Sequence, residues 1–377
     1  NELLFNNKKL NFSNNKNRLR NMMRGYSKLK DQNSLVRITN LLSEISETKF
    51  NIINTKFSKI IYGEGITFAE IILRQYLIND LAGTNLNEAL LISVGGNKKV
   101  IYPLPKIWLK IILKNGFNIN KFYSTLLWKK YILIKLLNGY YNLSKNLLSF
   151  LIFNKQKTKN LRNSIFFTNI TRANVPIDNY QANNYNLISW FILNKNILNT
   201  NFNSIHHLVP NSPDLEIDGI IISNYKRIIP SIDNWLVFIK FLKWSIFLVL
   251  NSFLDYFKGF WWNCILINES ISAKRVNLSN SNQIALSYIF NNSDWIYRPL
   301  WTYEAESKGA EIVFYFYSTN CEPFKTTQDN PAIYRGYAAM NWPKYLVWDV
   351  HQSNFIKRTV SNKPQIDIVG PIWNQDS

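Results

Sequence analysis

A chain of 377 residues is long enough to bury a substantial core, and 44 Lys plus Arg against 24 Asp plus Glu give it a formal net charge of +20. With 46% apolar and 15% aromatic residues, this is a folded basic protein, which excludes a disordered tail or a low-complexity polycation. Its two cysteines, Cys264 and Cys321, lie far apart with no Cys or His at ligand spacing, which excludes a disulfide framework and a zinc site.

The charge favours an anionic partner, and three classes fit: nucleic acid, an anionic membrane leaflet, or a phosphorylated or uronic-acid substrate. Asn1 to Lys9 hold no initiator Met and no apolar stretch of signal-peptide length. A cytoplasmic, reducing location is therefore expected, with part of the true N-terminus missing.

Residues 1–58 are polar and basic, with Arg18, Arg20 and Arg24 among few apolar positions, and read as an exposed helical lead-in. Lys59 to Tyr62 form a short strand, and Gly63 and Gly65 lead to a capping box at Thr67 to Glu70, which starts a helix ending at Gly83. The pattern repeats as strand Ala89 to Val94, turn Gly95-Gly96, and a helix led by Tyr102-Pro103-Leu104-Pro105 that runs through Trp108 and Ile112 to Gly116. Gly95-Gly96 is a glycine turn without the full dinucleotide fingerprint.

Leu126 to Phe153 mixes Trp128, Tyr131 and leucines with Lys129, Lys130, Lys135 and Lys145. Phe241 to Phe257 is apolar but interrupted by Lys243, Asn251 and Asp255, short of the roughly 20 apolar residues of a spanning helix. Each reads as an amphipathic core helix or as a helix lying on a membrane surface. Between them, Ser164 to Thr168 read as a strand. His206-His207 invite a metal or base role, but neighbours on a strand face opposite ways and no carboxylate stands at ligand spacing, so both read as ordinary histidines.

Ile265 to Asn268 read as a strand ending at Glu269. From Asp294 onward the alternation is regular: strand Asp294 to Arg298, helix Leu300 to Lys308 after Pro299 and closed by Gly309, strand Glu311 to Tyr317, and a long polar loop over 318–341. Strand Tyr345 to Trp348 follows, then a helix capped by Asp349 and Gln352, then strand Ile366 to Val369 ending at Gly370-Pro371. The expected fold is α/β with a Rossmann-like parallel sheet, whose ligands sit beyond the carboxyl ends of the strands.

Trp295 to Glu306, Tyr315 to Glu322, Met340 to Asp349 and Val369 to Trp373 together resemble the bacterial polysaccharide-biosynthesis proteins named for a Pro-Phe-Thr-Ser motif. Lys56 to Gly63 and Tyr102 to Pro105 extend the resemblance over most of the chain from about residue 16. The motif itself is absent, Pro323-Phe324-Lys325-Thr326 being a partial lookalike.

The resemblance implies the N-terminal, acceptor-side part of a GT-B-like two-domain architecture. Its divisions are a lead-in over 1–58, a Rossmann-like domain over 59–370 with an insertion around 120–260, and at 371–377 the start of a linker to a missing donor-nucleotide domain. The implied function is surface-polysaccharide biosynthesis by glycosyl transfer from a sugar nucleotide to a glycan or lipid-linked acceptor. The basic lead-in and the Leu126 to Phe153 and Phe241 to Phe257 segments, which combine cations with apolar surface, predict a peripheral position at the cytoplasmic membrane, where such acceptors are often lipid-linked. No tightly bound cofactor and no metal is implied, and the part present here is expected to be inactive by itself. A non-catalytic polysaccharide assembly protein and a basic nucleic-acid-binding protein are the alternatives.

Inverting transfer needs a base for the acceptor hydroxyl. Glu269 and Glu304 are the candidates, each also well placed as an anion in a first helical turn. Arg298, Thr319, Asn320, Lys325, Asn341, Trp342 and His351 are the expected substrate-binding residues, with Trp342 as a stacking face.

Overall fold

In the computed structural model the described residues are 3–4, 41, 99–152, 160–176, 186–194, 201–232, 234–259, 261–291, 298–316, 340–360 and 362–370. The expected elements over 59–94 and the strand over 294–297 lie outside them. The chain forms two units, Asn1–Tyr140 with Asn251–Ile267, and Tyr141–Leu250 with Asn268–Ser377.

In the first unit, β1 (Leu3–Leu4) pairs in parallel with β2 (Val100–Ile101). Helix α1 (Lys106–Lys114) starts at Pro105, whose φ of −63° suits a helix entry, and buries Trp108, Leu109 and Ile112; the chain turns at Gly116 with φ 78°. Helix α2 (Lys121–Ile152) begins in this unit, with Asn120 Oδ1 accepting Tyr123 N at 3.1 Å and Ser124 Oγ accepting Tyr102 N at 3.1 Å. Its inward positions Ser124, Trp128, Ile132, Leu136 and Gly139 recur every three or four residues.

The last turns of α4 (Trp235–Lys258) and the short α5 (Trp261–Ile265) complete the described part of this unit. Trp128 meets Trp261 edge-on at 5.1 Å, and Tyr140 shares a hydrogen bond with Ser252 at 3.0 Å. Buried Asp255 accepts from Asn263 Nδ2 at 2.7 Å. The expected strand over 265–268 is helical: α5 ends at Ile265 and α6 (Ile267–Leu278) starts two residues later. A short apolar run buried on every side carries no period that separates strand from helix.

The second unit is built on an eight-stranded sheet of β3 (Ser164–Thr168), β4 (Ser204–His207), β5 (Leu215–Ile217), β6 (Ile220–Asn224), β7 (Ser287–Asn291), β8 (Glu311–Tyr315), β9 (Lys344–Val347) and β10 (Gln365–Ile368). The spatial order is β10-β9-β8-β7-β3-β4-β6-β5. Every neighbouring pair is parallel except β5 and β6, joined by a hairpin whose turn residues Asp218 and Gly219 have φ of 52° and 74°. Positive φ at both positions gives a turn whose twist matches its strands.

The parallel pairing expected for the closing strands is present, with Val313 opposite Lys344 and Tyr345 opposite Ile366. Asp349 Oδ1 accepts Gln352 N and Gln352 Oε1 accepts Trp348 N, both at 2.8 Å, so α8 (Val350–Thr359) starts at the predicted cap. Helix α7 (Trp301–Ser307) gives way at Gly309, φ 90°.

From β3 the chain builds outward through β4 to β6, then returns to place β7 on the other side of β3 and builds outward through β8, β9 and β10. This is doubly wound order, with its switch point between β3 and β7. Successive strand residues serve opposite faces. Phe167, Ile205, Ile289, Val313 and Leu346 pack in one cluster with α3 (Leu187–Leu193), while Phe166, Tyr288, Phe290, Phe314 and Tyr345 form the other face, where Tyr288 meets Trp301 of α7 at 4.9 Å.

Candidate functional site

Ligands of doubly wound sheets bind outside the carboxyl ends of the strands at the switch point, so the residues that end β3, β7 and their neighbours are decisive. Strand β4 ends in His207 and β7 in Asn291. By alternation from Ile205 and Ile289, both project on the face that carries α3. One strand lies between them, which sets β4 and β7 about 10 Å apart.

His207 is fully buried, and its Nδ1 accepts Val209 N at 3.2 Å. That bond assigns the ring proton to Nε2, a donor without a hydrogen-bond partner among the described residues. Burial lowers its pKa and the Arg172 charge lowers it further, against the opposing influence of Asp214. The ring is therefore neutral at pH 7. Asn291, 8% exposed, has a side-chain carbonyl oxygen that is also buried without a partner. Among the described residues, a buried donor and a buried acceptor thus stand without hydrogen-bond partners at the carboxyl edge beside the switch point, which is costly for each unless something meets it.

Arg172 sits on the short 3-10 turn after β3, whose capping box joins Thr171 and Asn174. Its Nη1 donates to Ser212 Oγ at 3.0 Å and to Pro176 O at 3.3 Å, which leaves most of an exposed guanidinium for an anion. Among the described residues there is no cluster of three His, Cys, Asp or Glu that would hold a metal ion.

The expected site residues are dispersed. Thr319, Asn320 and Lys325 lie outside the described residues. Asn341 and Trp342 precede β9 and stand at the amino edge of the sheet, opposite the ligand side: Trp342 O accepts Asn362 Nδ2 and Pro343 O accepts Gln365 N where β10 begins. Trp342 has no exposed face to offer a sugar, being sandwiched by Phe290 and Phe314 with ring centroids at 4.8 Å in each case.

Arg298 is buried, and its guanidinium is engaged by groups of α7, the helix that follows it, and of the segment before β9. It donates to Thr302 Oγ1 and Asn341 O, pairs with Glu306, and covers the Tyr303 ring at 3.8 Å. His351 is exposed on the first turn of α8.

The two carboxylates separate. Glu304 Oε2 accepts Asn277 Nδ2 at 2.9 Å beside the last turn of α6. Its charge favours the ammonium forms of Lys274 and Lys308, whose pKa values burial nonetheless lowers. Glu269 opens α6, and its Oε2 accepts Leu300 N at 3.2 Å where α7 begins. Because α6 delivers the chain to the amino end of β7, its own first turn lies toward the carboxyl edge. Of the two, Glu269 is the one on the ligand side.

By sequence His207 reads as an ordinary buried or surface histidine, and Arg172 and Asn291 carry no motif. The signal available was the run Ser287-Tyr-Ile-Phe-Asn291, β-rich and closed by Asn-Asn-Ser, which marks a strand end at Asn291.

Residues 241–377 match a family model described as polysaccharide biosynthesis PFTS motif protein, the same family that the residues resemble. The match spans the latter part of α4, helices α5 to α8 and strands β7 to β10, and the family's name attaches that region to polysaccharide biosynthesis. No curated protein matches the chain, and no solved structure does.

Proposed function

We propose that this protein, whose C-terminal part matches a polysaccharide-biosynthesis family, is the acceptor-binding part of a glycosyltransferase that acts from a sugar nucleotide on a glycan or lipid-linked acceptor. The observation that supports the reading is the pair of buried polar atoms, on His207 and Asn291, that have no partner among the described residues beside the switch point of a doubly wound sheet. Sugar hydroxyls both donate and accept, so one acceptor ring can accept a hydrogen bond from His207 Nε2–H and donate one to Asn291 Oδ1. An apolar or purely anionic ligand would satisfy only part of this arrangement.

Arg172, exposed on the turn after β3, suits a phosphate or uronic carboxylate on the acceptor. Glu269, on the same carboxyl edge but beside α7 on the opposite face of the sheet, is the residue we assign as base for an acceptor that reaches across that edge, drawing the proton from the attacking hydroxyl as the glycosidic bond forms and the bond to the nucleotide breaks. The leaving nucleotide would be held by a second Rossmann-like domain in a GT-B-like arrangement, with cationic or dipolar groups at the departing phosphate.

The test is transfer from a panel of sugar nucleotides to membrane-extracted acceptors by this protein. Glu269→Gln should lower turnover by roughly 100-fold or more with folding intact, and His207→Gln or Asn291→Leu should raise the acceptor KM. Intact turnover in Glu269→Gln would remove that residue as base. Absence of transfer from every donor would sink the enzyme reading in favour of a non-catalytic assembly role.

A further inference from the structure

Helix α4 carries more large apolar side chains outward than a water-soluble helix tolerates. Its buried stripe, Phe238, Phe241, Trp244, Ser245, Leu248, Ser252 and Asp255 at three- and four-residue steps, includes two serines and a carboxylate. Its outward stripe carries ten large apolar side chains, among them Leu236 at 75% exposure, Phe247, Leu250, Phe253 and Phe257 at 71%. A continuous exposed apolar stripe of that kind marks a surface that something covers. The polar inward residues are engaged by their own chain, Ser252 with Tyr140 and Asp255 with Asn263, so the arrangement is built in.

The same outward stripe holds exposed Lys240, Lys243 and Lys258 and no exposed carboxylate. Lysines interleaved with large apolar side chains on one helix face suit an anionic bilayer surface, where the rings and branches enter the acyl boundary and the ammonium groups rise to the headgroups. By length and composition α4 could cross a membrane. Lys243, more than two turns into the helix, and Asp255, buried against Asn263, argue for lying along the surface instead. The outward face of α2 repeats the pattern, with exposed Phe122, Leu137, Tyr141 and Ile152 beside Lys129 and Lys145.

We propose that α4 docks lengthwise, by this outward stripe, onto an anionic membrane surface. The proposal stands on the helix itself and does not depend on the reading of the carboxyl edge of the sheet.

The test is co-sedimentation of the full chain with phosphatidylcholine vesicles, with and without about one part in three of phosphatidylglycerol. Two variants accompany it: Lys240→Glu with Lys243→Glu, which leaves the apolar stripe whole, and Phe247→Ser with Phe257→Ser, which leaves the charge whole. The expected result is binding to the anionic vesicles only, weakened by moderate salt, reduced about thirtyfold or more by the lysine pair and similarly by the phenylalanine pair. Equal binding to neutral vesicles, no binding to either, or binding indifferent to the lysine pair would overturn it. So would a dimer, seen by light scattering without lipid, that the phenylalanine pair dissolves, since the stripe would then belong to a second copy. If the phenylalanine variant fails to fold, as judged by its circular dichroism, the lysine pair alone decides.

Discussion

Trp342 lies nearly flat on Phe314, ring centroids 4.8 Å apart and planes 22° from parallel, with no exposed surface. The residue expected to stack on a sugar is thus a keystone of the sheet's second face. Trp342→Ala should cost about 3–5 kcal/mol through the cavity it leaves. Trp342→Phe should cost less, because the indole Nε1 has no partner among the described residues to lose. Urea denaturation of the two variants checks both, and a change in acceptor KM without loss of stability would restore the stacking role.

Gly139 is held by contact, not by backbone conformation. A Cβ at this position would come within 2.5 Å of Ile267 Cγ2. In an exposed helix Gly→Ala gains about 1 kcal/mol, but overpacking a filled interior costs about 1–3 kcal/mol, so the sign should reverse here. Gly139→Ala should lower the melting temperature and Gly139→Ala with Ile267→Ala should recover part of the loss relative to Ile267→Ala alone. A stabilised single variant would contradict the packing.

What the sequence made legible is what is local. The cap at Asp349 and Gln352, the stops at Gly116 and Gly309, and the alternation from Glu311 to Ile368 depend on residues a few positions apart, and each stands where it was expected. The Asp218-Gly219 hairpin was equally local and went unread. Strand β7 escaped because it is buried at all five positions and so shows no alternation. With it went the switch point, since the pairing of Ile165 with Ser287 joins residues more than a hundred positions apart. The outward apolar stripe of α4 was illegible for a related reason: a helix with large apolar residues on both faces does not announce which face its own chain covers.

Lys344 is 6% exposed at the start of β9 and bonds Glu311 at 2.8 Å and Asp367 at 3.2 Å, tying β8 and β10 to the strand between them. Burial works to lower its pKa, but the hydrogen bonds and charges of Glu311 and Asp367 outweigh it, and the net shift is upward from 10.5. The network's contribution is therefore present at neutral pH and lost only as pH rises beyond the usual lysine range. Both carboxylates are about a third exposed, which screens them, so Lys344→Met should cost about 1–2 kcal/mol instead of the full cost of orphaning a buried charge. Denaturant midpoints at pH 7 measure it, and a neutral or stabilising effect would show that the triad serves register more than stability.

The most telling measurement concerns His207, because it probes the switch point without any substrate. Its folded pKa lies below 6.5, chiefly through burial and then through the Arg172 charge. On acidification below pH 6.5 the unfolded chain takes up a proton that the folded chain refuses, so the unfolded state gains and stability falls with pH until the folded pKa is passed. Wild-type protein should therefore lose stability between pH 7.5 and 5.5 (about two units chosen to bracket an ordinary histidine). His207→Gln should lose less over that span, and Arg172→Gln, which removes the repelling charge, should also flatten the slope. An anionic ligand seated against Arg172 would offset the repulsion and raise the His207 pKa, so adding inorganic phosphate should move the histidine ring resonances to higher apparent pKa in wild type and leave Arg172→Gln unmoved. Parallel pH slopes in wild type and both variants would mean that His207 is not the titrating group, and with it the electrostatic account of this edge would fall.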